Sequence, residues 1–164
     1  MGKIKDVTRD CHGFTLIEVL IAVLILSIGL LGLGAMQMKA LNSSSSAHLK
    51  SVSTFLAYDM ADRMRANRDQ VLAGQYSASL GVALTAPSPN CISASCSPGQ
   101  LTAFDVWEWK EDLKDRLPGG DGAITRLTAG GLNRYQIQVQ WIESYDDSGS
   151  GSMEHDYITF QTEM

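Results

Sequence analysis

From Phe14 to Met36 the chain reads FTLIEVLIAVLILSIGLLGLGAM, 23 residues in which Glu18 is the only formal charge. Wound as an α-helix at about 1.5 Å per residue, the stretch extends roughly 35 Å, enough to cross the hydrocarbon layer of a bilayer. Between Glu18 and Lys39 no residue is charged at all. The apolar share of the whole chain, 45%, is therefore concentrated near the N-terminus, and the remainder is correspondingly more polar. With 164 residues in total, the chain has room for about one domain.

Ahead of the apolar stretch, MGKIKDVTRDCHG carries Lys3, Lys5 and Arg9 against Asp6 and Asp10. Basic residues on a short flank favour a cytoplasmic N-terminus, which puts the rest of the chain on the far side of the membrane. A discarded secretory signal requires a cleavage site of the A-x-A kind after the apolar run, and Gly34-Ala35-Met36 matches that poorly. A plain signal anchor fits the hydropathy, but it gives no reason for a carboxylate at the fifth position of the run. An unpaired charge so close to lipid costs a few kcal/mol.

The string Gly13-Phe14-Thr15-Leu16-Ile17-Glu18 resembles the prepilin signature of type IV pilins and of the pseudopilins of type II secretion. The resemblance implies that a prepilin peptidase cuts on the cytoplasmic side between Gly13 and Phe14 and removes residues 1–13 as a leader. It then methylates the new N-terminus at Phe14 and leaves the apolar helix, residues 14–36, on the mature protein. Glu18 becomes the fifth mature residue, where the family's carboxylate is held to face the N-terminal amine of a neighbouring subunit. Such a charge-assisted contact sets the axial register between subunits, which apolar packing leaves free. Protonation of Glu18, or its snorkelling to the headgroups from near the helix start, is the competing explanation.

Gly29, Gly32 and Gly34 interrupt the run, each costing up to about 1 kcal/mol of helix propensity relative to Ala. They predict either a loosened helix or a surface for close helix packing. Major type IV pilins commonly carry proline where this chain has Ala35, a departure that fits a minor subunit.

Past Met36 the helix is expected to run on through Asn42-Ser43-Ser44-Ser45-Ser46 and to turn amphipathic over residues 37–74. Leu49, Val52, Leu56, Met60 and Met64 recur at spacings of three and four, with Lys50, Asp59, Asp62, Arg63 and Arg65 on other faces. That stripe reads as core, and Gly74 as the stop. Residues 75–164 are then the head. Ser77 to Gly99 reads as a loop, with Pro87, Pro89 and Pro98 preventing a continuous helix. Leu101 to Leu117 reads as a second helix, packing through Phe104, Trp109, Leu113 and Leu117 and turning Lys110, Asp112, Lys114 and Asp115 to solvent. Leu117-Pro118-Gly119-Gly120-Asp121-Gly122 ends it; lacking the Lys-Ser/Thr of a P-loop and following a helix, this cluster is a turn rather than a phosphate cradle. Strands follow at Ala123–Leu127, at Arg134–Ile142 with Tyr135, Ile137, Val139 and Trp141 inward, and at Asp156–Thr162 with Ile158 and Phe160 inward, paired antiparallel.

On the prepilin reading Cys11 leaves with the leader, so the mature chain keeps Cys91 and Cys96. In a periplasmic head this pair reads as one disulfide, with two free thiols as the alternative. Two thiolates without a nearby His make half a zinc shell, so no metal is expected. The acidic connection Asp146–Ser152 lacks EF-hand spacing and a closing Glu.

The expected fold is α+β, similar to type IV pilins: a long N-terminal helix, its first half transmembrane, on a small antiparallel sheet. Ala61–Asn67, the Cys91/Cys96 loop, Asp105–Trp109, Leu117–Gly120 and the Trp141 strand are also similar to the type IV pilus modification proteins, a family of minor pilins. The resemblance implies a structural subunit without cofactor. It sits in the bacterial inner membrane, head in the periplasm, and then enters the extracellular pilus. Its implied partners are the prepilin peptidase, the pilus assembly platform, other minor pilins and the major pilin. A minor pseudopilin of type II secretion and a membrane-anchored adhesin or ligand-binding module are the other readings. The net charge of -5 and the lack of a Lys/Arg cluster argue against nucleic acid. No nucleophile, base and orienting group present themselves for an enzyme.

Overall fold

The structure, a computed structural model, describes residues 13–127, 133–145 and 153–163. Residues 1–12 of the expected leader, with Cys11, and the connection Asp146–Ser152 lie outside the described residues. Helix α1 spans Leu16–Ala66 without interruption. Gly29, Gly32 and Gly34 do not loosen it, because adding one residue to a formed helix is cooperative and good helix formers flank each glycine. The serine run Ser43–Ser46 is helical as well.

The chain divides into two compact units at Ser43/Ser44. In the first, every described residue is exposed, so this part of α1 has no core of its own. The second unit contains the whole hydrophobic core. The unit that holds the core begins at Ser44, and the last turns of α1 supply much of what is buried: Leu56, Ala57, Met60, Ala61 and Met64, with Leu49 and Val52 packed at the margin.

Helix α1 stops at Ala66 and not near Gly74. Asn67 leaves the helical region at φ -117°, ψ 48°, because its side-chain amide is spent on long-range partners: it donates to the Pro98 carbonyl at 2.9 Å and to Thr102 Oγ1 at 3.1 Å. A short helix α2, Arg68–Leu72, follows. Gly74 closes that one: at φ 77° it lets its own N–H reach the Val71 carbonyl at 2.9 Å and the Gln75 N–H reach the Gln70 carbonyl at 2.9 Å, the paired bonds that satisfy a helix's last carbonyls.

Helix α3 spans Pro98–Arg116. Pro98 sits in its first turn, where its missing N–H costs nothing. Ser97 and Gln100 cap the helix reciprocally, side chain to backbone in both directions. Strands β1 (Asp121–Leu127), β2 (Arg134–Tyr145) and β3 (Met153–Glu163) form one antiparallel sheet in the order β1-β2-β3. Ile124 pairs with Ile137, and Ile137 with Phe160. The alternation of β2 buries Tyr135, Ile137, Val139 and Trp141 on one face, while Ile158 and Phe160 pack at its edge. Helix α1 lies over β3 through Tyr58, whose ring meets that of Phe160 at 4.5 Å.

One α3 expectation is reversed. Lys110, read as facing solvent, is 1% exposed. Its ammonium donates to the carbonyls of Ser79 (2.6 Å) and Val82 (2.8 Å) and pairs with Asp121 at 3.0 Å. These contacts tie the loop after Gly74 to the start of β1, and they compensate the burial of the charge.

Candidate processing and assembly site

Gly13, Phe14 and Thr15 precede the helix in irregular, exposed backbone, with Phe14 83% exposed. The peptide bond between Gly13 and Phe14 is thus presented outside any secondary structure, the state in which proteases take up a chain. Thr15 begins the helix: its carbonyl accepts from the N–H groups of Glu18 (3.1 Å) and Val19 (3.3 Å), and its Oγ1 accepts from the Glu18 N–H at 3.4 Å. Thr15 and Glu18 hold the spacing of a capping box, of which the threonine half is formed.

Glu18 lies in the first helical turn, where the helix macrodipole favours an anion. Among the described residues its carboxylate has neither a cation nor a hydrogen-bond donor. Phe14, Glu18, Ala22 and Leu26 recur every four residues on one open strip of helix surface that Val19 and Val23 complete. Glu18 is the only polar side chain on that strip. Helix α1 contains an 18-residue window of mean hydropathy 2.8, long and apolar enough to cross a membrane.

In the head, two strings singled out in the sequence meet. The Arg63 guanidinium on α1 is surrounded by carboxylates: it bonds Asp59 at 2.8 Å and Glu108 on α3, with Asp105 and Asp112 each at 3.9 Å. Trp109 Nε1 donates to the Leu56 carbonyl at 2.9 Å. Asp105, buried beneath, accepts from the Tyr76 hydroxyl at 2.7 Å. Burial raises the Asp105 carboxyl above its ordinary 3.8, against the lowering effect of the Tyr76 bond and of Arg63. Burial, aided by the Asp105 charge, pushes the Tyr76 phenol well above its usual range. Sequence reading missed this network because its members are charged or polar in type and come from three separate segments. Cys91 and Cys96 are joined by a disulfide with an S–S distance of 1.97 Å.

Residues 8–34 match the family model for the prokaryotic N-terminal methylation motif, and residues 35–107 match that described as type IV pilin Tt1218. No curated protein and no solved structure matches the chain. With its long N-terminal helix and three-stranded antiparallel sheet, the chain has the α+β fold of a type IV pilin, and its match to that family's model follows directly behind the match to the methylation motif.

Proposed function

We propose that this chain is a minor pilin, a structural subunit that helps prime assembly of the type IV pilus and enters the filament near its tip. The observation that carries the reading is Glu18: a carboxylate without a partner among the described residues, on an otherwise apolar and wholly exposed helical strip. An anion left bare in an apolar setting calls for a cation from elsewhere. Cleavage between Gly13 and Phe14 supplies one, because it creates an α-amine that the neighbouring subunit's Glu18 can bind. N-methylation at Phe14 leaves that amine basic. Before assembly, the chain spans the inner membrane through residues 14–36 with its N-terminus in the cytoplasm and its head in the periplasm. Leader removal is the work of a prepilin peptidase, and insertion into the filament that of the assembly platform together with the other minor pilins and the major pilin.

The strings Ala61–Asn67, Asp105–Trp109 and Leu117–Gly120, with the cysteine loop, support a finer assignment to the type IV pilus modification protein PilV. The meeting of the first two strings around Arg63 gives them a shared structural task in such a protein. Moving the apolar helix from lipid into a filament core changes its surroundings little, so direction must come from specific contacts. The variant Glu18→Ala is expected to insert in the membrane and to be processed normally, yet to be lost from sheared pili. Unchanged recovery of Glu18→Ala in the pilus fraction would refute the role given to Glu18. Recovery of the wild-type chain with a secretion system and not with pili would reassign it to the pseudopilins.

A further inference from the structure

The first turns of α3 and the segment from Gln75 to Pro87 enclose a groove of about 320 Å³ in the head. Its wall carries Gln75, Ser77, Thr85 and Trp107 beside Leu84 and Pro87, and not one acidic or basic side chain. The side chains of Gln75, Ser77 and Thr85 make no hydrogen bond among the described residues. Thr102 on the same wall differs, since its hydroxyl is engaged by Asn67 and the Pro98 carbonyl. Trp107 is half-buried, its ring tilted against that of the buried Phe104 with centroids 5.7 Å apart. The other tryptophans, Trp109 and Trp141, are fully buried, so Trp107 alone of the three offers an indole to solvent.

The wall's chemistry narrows what can bind. A phosphate, carboxylate or ammonium ligand would give up hydration and find no countercharge there. A purely apolar ligand would strand an amide and two hydroxyls. A fixed indole face bordered by uncharged donors and acceptors suits a neutral molecule with one apolar face and a rim of hydroxyls. That is the description of a pyranose ring. The volume stands at the small end of the roughly 300–1,000 Å³ of ligand cavities, so it fits one or two rings. We propose that this groove is a carbohydrate-binding site in which Trp107 stacks on a sugar ring and Gln75, Ser77 and Thr85 bond its hydroxyls.

Two sources share this chemistry: the amino sugars of the bacterium's own cell wall, and glycans of a surface the head meets. The full chain in a zwitterionic detergent lacking a sugar headgroup, with its indoles labelled with 15N, can be titrated separately with N,N′-diacetylchitobiose and with lactose. The expected result is a millimolar shift of the Trp107 indole resonance alone, with Trp109 and Trp141 unmoved. A response to chitobiose only indicates the wall source, and one to lactose only indicates a surface glycan. In Trp107→Ala, saturation transfer from protein to sugar should fall about tenfold, the loss of a stacked ring. The Trp109 and Trp141 resonances report whether that variant is folded. Thr85→Ala, on the loop, should weaken binding several-fold without touching the core. The proposal is overturned if neither disaccharide moves Trp107 at tens of millimolar, if binding survives both variants, or if an oligoproline peptide shifts Trp107 where the sugars do not.

Discussion

Lys110 stands in line with Val106, Leu113 and Leu117 at spacings of four, three and four, so helical periodicity alone places it on the buried stripe of α3. Its residue type pointed the other way. The oxygens that accept it lie at Ser79, Val82 and Asp121, partners that no local pattern reveals. An ammonium has three donors, and each of these meets one oxygen. Lys110→Met is expected to cost at least about 2 kcal/mol, because it leaves two carbonyls without their donor and Asp121 without its cation; urea unfolding measures it, and adding Asp121→Asn should restore part of the loss.

Two carboxylates of the head, Asp105 and Asp121, respond to acid in opposite senses. Asp105 has a folded pKa raised by burial, so its ionised form is a cost to folding at neutral pH, and that cost is relieved as the pH falls from the raised value toward 3.8. At Asp121 burial alone would raise the carboxyl, but the Gly81 N–H, Lys110 and the Gly122 N–H outweigh it and hold the pKa below 3.8. Its contribution is complete above 3.8 and is lost as the pH drops through the depressed value. Asp105→Asn should therefore gain stability relative to wild type at neutral pH, with the difference shrinking on mild acidification; a difference independent of pH would refute the assignment.

At the scale of elements, the long helix was legible from its unbroken apolar run and the stripe that follows it, and the α3 helix and the alternating β2 strand from a sustained period of 3.6 or 2. The end of α1 was not. Gly74 is a genuine stop signal, but it closes α2. The earlier break at Asn67 depends on Pro98 and Thr102, 31 and 35 residues away. The turn after α3 was legible as a turn, though not the tightness of its packing. A Cβ on Gly120 would collide with the Leu113 carbonyl oxygen, a backbone atom that cannot step aside. Gly120→Ala is expected to destabilise the head by at least about 2 kcal/mol, read as a lowered thermal midpoint.

For the molecule as a whole, the two units differ in kind. The described residues up to Ser43 bury nothing by themselves, and from Ser44 the chain encloses a continuous core. A chain beginning at Ser44 is expected to fold in water as one cooperative unit with its disulfide formed; circular dichroism and calorimetry check this, and a broad, non-cooperative melt would refute it. The candidate site was legible from Gly13 to Glu18 because a short linear string carries it. The Arg63 network and the groove beside Trp107 were not, since folding assembles them from distant segments.

Sealing an amine inside the head also yields a chemical clock. Lys39, Lys50 and Lys114 are exposed on the isolated chain, whereas Lys110 becomes reactive only when β1 and the loop over it part. The rate at which that one lysine acquires label, followed by peptide mass mapping on intact filaments, would time how often the subunit opens without removing it from its neighbours.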